Sequence, residues 1–139
     1  MIPYWLSRTQ LMLGDEKVEN LMGKNVLIVG LGGVGGICAE MIVRAGVGKM
    51  TIVDNDIVDE SNINRQIQAL QSTVKQPKAQ VLAARLKDIN PELDLTVMEV
   101  YIKEKITIKP RKKSVSYRVL KYYLEKSFDK GHPLSTVES

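Results

Sequence analysis

The sequence predicts an α/β fold, a Rossmann-like, mostly parallel sheet with helices on both faces that is incomplete within these 139 residues. Three observations carry this. The apolar run Asn25-Val26-Leu27-Ile28-Val29 is followed at once by Gly30-Leu31-Gly32-Gly33-Val34-Gly35 and then by an apolar helical pattern. A second β-branched segment begins about 25 residues after the first, the spacing of a strand–helix–strand crossover. Asp54 then stands at the tip of that second strand, 24 residues beyond Gly30.

The elements follow in order. Trp5 to Leu13 reads as a short helix or arm ended by Gly14, and Asp15 as the cap of a second helix from Glu16 to Met22. Residues 1–23 are thus an N-terminal helical arm, and residues 24–105 the nucleotide-binding domain. Strand one, Asn25 to Val29, is almost wholly apolar, as a parallel strand covered on both faces should be. The first long helix runs from about Val34 to Ala45 and stops at Gly46. Strand two is Met50 to Val53, and Asp54 to Ser61 is an acidic loop. Asn62 to Leu70 is expected to be a short helix. Pro77 suits the first turn of a longer helix that ends near Ile89, before Asn90-Pro91. Strand three is expected from Leu95 to Ile102. Beyond these, Ile106 to Ile108 has strand character and Val115 to Lys126 helical spacing. Residues 106–139 form a basic C-terminal tail.

Composition narrows the class. Hydrophobic residues make up 44% and charged residues 26%, which suits a globular chain and excludes a disordered one. No apolar run reaches the roughly 18 residues of a membrane span, and the N-terminus lacks the pattern of a signal peptide. Cys38 is the single cysteine, so neither a disulfide framework nor a CxxC zinc site is available. A cytoplasmic location is the simplest expectation. Cys38 falls among Ile37, Ala39, Met41 and Ile42 and reads as a small hydrophobe rather than a nucleophile. His132, the sole histidine, reads as a surface residue of the tail. Residues 1–100 carry ten Lys and Arg against twelve Asp and Glu, whereas residues 101–139 carry ten against four. The excess of basic charge therefore lies around Lys109-Pro110-Arg111-Lys112-Lys113, where it can meet RNA phosphates or only solvent.

The glycines have separable uses. Gly30 permits a tight turn, Gly32 and the neighbouring Gly33 let the backbone approach a phosphate, and Gly35 lets helix and strand pack closely. The N–H groups at the helix start favour anions. A carboxylate at Asp54 can accept ribose hydroxyls in an ATP or an NAD site alike, so these residues do not separate the two. The discriminating set is Asn62, Asn64, Arg65, Gln66 and Lys78. An enzyme that expels pyrophosphate needs cations where charge builds on phosphate oxygens, and an NAD enzyme has no general need of them.

In this order, Gly-Leu-Gly-Gly-Val-Gly at 30–35, Ile-Val-Asp-Asn-Asp at 52–56, Ser-Asn-Ile-Asn-Arg-Gln at 61–66 and Gln-Pro-Lys at 76–78 resemble the adenylating domain of the ubiquitin-activating, molybdopterin- and thiamine-biosynthesis superfamily. Arg8 to Gly14 and Asn64 to Leu70 look most like its tRNA threonylcarbamoyladenosine dehydratases. The resemblance covers about residues 7–102. It implies activation of a carboxylate by ATP with magnesium, on a tRNA substrate or on the C-terminus of a ubiquitin-like sulfur carrier. It also implies that Gly32 and its neighbours contact ATP, Asp54 binds ribose, Asn62 and Arg65 contact the phosphates, and Gln66 belongs to the nucleotide-binding set. Lys78 would stabilise the α-phosphate, and Arg8 would reach across a homodimer to the neighbour's triphosphate. The aspartate motif that helps such proteins hold magnesium has no counterpart between Lys103 and Ser139, so no metal ligand is assigned and a front half is implied.

Overall fold

The computed structural model describes residues 1–100. Within them, the strands β1 (Asn25–Val29), β2 (Lys49–Val53) and β3 (Asp94–Met98) lie side by side in that order, all parallel. The register places Val26, Met50 and Leu95 in one row and Ile28, Ile52 and Val97 in the next. Alternation along a strand sends all six to one face. The helices α3 (Gly35–Arg44) and α4 (Lys78–Ile89) pack there through Ala39 and Val43 on α3 and Ala79, Leu82, Ala83 and Leu86 on α4. Both lie on the same face, as two right-handed crossovers advancing in one direction require. Burying each such leucine stabilises the fold by about 2 kcal/mol. The Rossmann-like parallel sheet expected from the sequence is present. The layer expected on its other face is not supplied by these two core helices.

The N-terminal arm comprises α1 (Ser7–Leu13) and α2 (Asp15–Met22), preceded by a 3₁₀ turn at Tyr4–Leu6. Gly14, with φ +82°, separates the helices. Asp15 is the first residue of α2 rather than its cap, and it accepts a hydrogen bond from Gln10 Nε2 at 2.9 Å. Its carboxylate therefore ties the two helices together. Leu6 packs on the turn after α3, where a Cβ at Gly46 would stand 3.0 Å from Leu6 Cδ1. Gly46 has φ +107°, a conformation that L side chains avoid.

Two expected elements differ. Residues 62–70 do not form a helix: a 3₁₀ turn at Glu60–Asn62 leads through irregular turns to another at Gln71–Thr73. Asp59 Oδ1 accepts from the Ser61 N–H and Asn62 Oδ1 from the Asp59 N–H, a reciprocal cap that turns the chain before a helix can propagate. Asn62, Gln66, Gln68 and Ala69 then face inward. Strand three begins one residue early, because Asp94 N–H reaches the Gly48 carbonyl, and it ends at Met98. Pro77 precedes α4 instead of lying within it, although its carbonyl already accepts from Val81 N–H at 3.1 Å. No helix among the described residues is long and apolar enough to cross a membrane. The segments expected at 106–108 and 115–126, the basic run and His132 lie outside the described residues.

Candidate nucleotide-binding site

The site forms where β1 and β2 end at their carboxyl edge, the place where open α/β sheets bind ligands. Gly30, at φ +84°, turns the chain out of β1 while its N–H still reaches the Val53 carbonyl at 2.8 Å. The next residue is gripped at both peptide groups. Leu31 N–H donates to Asp54 Oδ2 at 2.6 Å, and Leu31 C=O accepts from Gln68 Nε2. The Leu31 side chain is fully buried. Among the described residues, no acceptor meets the N–H groups of Gly32, Gly33, Val34 or Gly35. Helical bonding starts one residue later, with Gly36 N–H to the Gly32 carbonyl at 3.0 Å. Four consecutive N–H groups at the positive end of α3 are thereby left for an anion.

The segment after β2 lies against this loop. A Cβ on Gly33 would come 3.4 Å from the Arg65 carbonyl oxygen and 3.5 Å from Arg65 Cγ, and one on Gly32 3.9 Å from Gln66 Nε2. Arg65 is exposed, and its Nη1 donates to the Ser61 carbonyl and Asn64 Oδ1, each at 2.9 Å, so the guanidinium is held beside the loop. Asp54 is half-buried, and its second oxygen accepts from Asp56 N–H at 2.7 Å. Lys78 is 7% exposed at the start of α4. Its Nζ lies 3.5 Å from Asp56 Oδ2, and its N–H donates to the Asp56 carbonyl, so the turn after Asp54 ties it to the same edge.

Gly30, Gly32, Gly33, Gly35, Asp54, Arg65 and Gln66 are thus brought together, with Lys78 linked through Asp56. Asn62 is buried, and its carbonyl oxygen is spent on capping the 3₁₀ turn, one step behind the loop. Arg8 is not in the group. It follows Leu6 by two residues, and Leu6 sits at the opposite end of the sheet, about five strand residues or 16 Å from the glycine loop. A close approach is seen at Gly36, where a Cβ would lie 2.6 Å from Gln68 Oε1 and 3.2 Å from Ile67 Cγ2. Gln68, 1% exposed, is the contributor that sequence reasoning missed. A glutamine in a polar run carries no signal of burial, and only the small residue facing it hinted at one.

Hydrogen bonds from the Ser61 hydroxyl and N–H hold the Asp59 carboxyl below its ordinary range. Burial pushes the Cys38 thiol up, which keeps it protonated and unreactive, as expected of a small hydrophobe. Among the described residues no group of three or more His, Cys, Asp or Glu suited to a metal occurs.

The chain is similar to known proteins in sequence and fold. The chain is 45% identical over 98 residues to the tRNA threonylcarbamoyladenosine dehydratase of Bacillus subtilis (strain 168), covering 70% of this chain and 39% of the relative. It is 38% identical over 93 residues to the sulfur carrier protein ThiS adenylyltransferase of Escherichia coli (strain K12), covering 65% and 37%. Among solved structures, E. coli tRNA N6-threonylcarbamoyladenosine dehydratase, TcdA, in complex with ATP superposes with a TM-score of 0.68 at 38% identity, covering 69% of this chain and 40% of that one. The chain therefore spans about two-fifths of the length of these relatives. The ThiF family model matches residues 6–117, most of the sequence, and the chain belongs to the ThiF family.

Proposed function

We propose that this site binds ATP in the service of carboxylate adenylation, with the threonylcarbamoyl group of a modified tRNA adenosine as the carboxylate that becomes the cyclic form. The observation that carries the reading is the row of four N–H groups from Gly32 to Gly35, with Arg65 against Gly33 and the buried Lys78 tied to the same edge through Asp56. The donors fit a phosphate, and the glycines leave the backbone open where side chains would block it. Bound ATP would supply an electrophilic phosphorus with pyrophosphate as leaving group.

The chain's own groups prepare that chemistry. The loop N–H groups hold phosphate oxygens without reorganising, because Asp54 and Gln68 already fix Leu31. Asp54 keeps lone pairs beyond its two backbone donors and can take ribose hydroxyls. Arg65, steered by Asn64 and Ser61, offers its remaining donors to phosphate, and Gln66 stands beside Gly32. Among the described residues Lys78 Nζ has only a long contact to Asp56, which leaves its charge available to a phosphate group gathering negative charge. Arg8 lies on the arm, whose Leu6 packs at the far end of the sheet, and in a homodimer it would reach the partner's site. The basic residues beyond 101 support a tRNA partner.

The likeness to a ThiS adenylyltransferase favours a second reading, activation of a ubiquitin-like carrier's C-terminus. A third reading is a module that binds nucleotide without turnover. Thermal unfolding of the full chain tests the common core. ATP near a hundredfold above its Kd should stabilise by about 2.7 kcal/mol, several degrees in Tm. NAD should stabilise less, and Arg65→Ala and Lys78→Ala should abolish the difference. Equal stabilisation by NAD would overturn the reading. Pyrophosphate exchange that needs modified tRNA, a carrier protein, or neither acceptor separates the three versions.

A further inference from the structure

We infer that Gln68 aims the Gly32 N–H at the nucleotide, and so is a positioning residue of this site. A trans peptide holds its C=O and N–H in opposite directions, and the described residues contain no cis bond. Gln68 Nε2, itself buried, draws the Leu31 carbonyl inward. The N–H of the same peptide unit, that of Gly32, is therefore turned the other way, where no acceptor among the described residues meets it. Without this grip the peptide between Leu31 and Gly32 is free to rotate, because glycine tolerates both signs of φ. The Asp54 contact cannot substitute, since it fixes the preceding peptide through Leu31 N–H.

A second observation points the same way. Gln68 Oε1 is buried and has no hydrogen-bond partner among the described residues, lying over Gly36 at the start of α3. An unpartnered buried acceptor is costly, and an apolar side chain of similar volume would avoid that cost. What the amide alone provides is the donor to Leu31. Its other contact, from Nε2 to Gln66 Oε1, is long at 3.4 Å, and it links the amide to the residue standing over Gly32.

This inference rests on the nucleotide reading, and calorimetric titration of the full chain with ATP separates the two. Gln68→Met keeps the volume and removes the donor, so ATP binding should weaken about five- to tenfold while Tm without nucleotide stays within a few degrees. Gln68→Glu supplies a rescue that a merely structural role would not produce. Its buried carboxyl has a raised pKa, donates when protonated and repels the Leu31 carbonyl when ionised. Its ATP affinity relative to wild type should therefore recover as pH falls from 8 toward about 5. Wild-type affinity in Gln68→Met, or a Gln68→Glu profile parallel to wild type, overturns the positioning role and leaves the nucleotide site standing. A wild-type chain that binds no ATP overturns both. Should Gln68→Met fail to fold, the pH profile of Gln68→Glu alone decides.

Discussion

Glycine has three different uses within seven residues of this chain, and the space beside each position separates them. At Gly30 the φ of +84° is what matters, because the chain must leave β1 at an angle other residues avoid. At Gly33 a methyl group would sit 3.4–3.5 Å from Arg65, close to ordinary contact, so the need there concerns the ligand more than the fold. At Gly36 it would press on Gln68 Oε1 at 2.6 Å and on Ile67 at 3.2 Å. Overpacking of that kind costs about 1–3 kcal/mol, against which alanine's better helix propensity returns about 1 kcal/mol. Gly36→Ala is therefore expected to lower the urea midpoint by the equivalent of about 1 kcal/mol, with Gly33→Ala near neutral. The reverse order of midpoints would mean that Gln68 is less firmly seated than the contacts indicate. The sequence made Gly30 and Gly32 readable, since a glycine loop between strand and helix has one common use. Gly36 and Gln68 were not, because their importance lies in facing each other across 32 residues of chain.

Between elements, the strongest polar contact joins α3 to α4. Glu40, 3% exposed, accepts from Arg44 one turn along its own helix at 2.9 Å and from Arg85 on α4. The hydrogen bond from Arg85, and then that from Arg44, holds the Glu40 carboxyl below its ordinary value despite its burial. A lowered folded-state pKa contributes stability that is complete above the unfolded-state value and is lost as pH falls through the folded one. Stability should accordingly decline below about pH 4.3, the ordinary glutamate value, and that part of the decline should vanish in Glu40→Gln. The variant should lose about 2 kcal/mol at pH 7, below the usual range for a broken buried pair because both arginines are half exposed. Denaturant curves at pH 3.5 and 7 check both statements, and an unchanged acid slope would assign the decline to other carboxylates. The helices themselves were legible from sequence: Ala79, Leu82, Ala83 and Leu86 repeat at helical spacing. Residues 62–70 were not, because Asp59 and Asn62 close a turn through side chains whose direction no periodicity reveals.

Across the whole molecule, the two ends of the sheet have different tasks. One end carries the glycine loop, Asp54, Arg65 and Lys78. The other carries the arm, latched by Leu6 at Gly46 and by the close approach of the Met22 carbonyl to Gly48. Strands β1 and β2 were legible because each is a largely apolar run and the crossover between them is short. The separation of Arg8 from the rest was not, since it depends on which end of the sheet the arm meets. The contacts that hold Leu31 also differ in reach along the chain, 23 residues to Asp54 and 37 to Gln68. Closing a longer span costs more entropy, so the Asp54 contact, made within one crossover, forms before Gln68 docks. The loop is thus shaped early in folding and locked late. A late contact leaves its mark on how fast the native state comes apart. Gln68→Met should refold at the wild-type rate and show any lost stability as faster unfolding, and slowed refolding would instead place Gln68 in the folding nucleus.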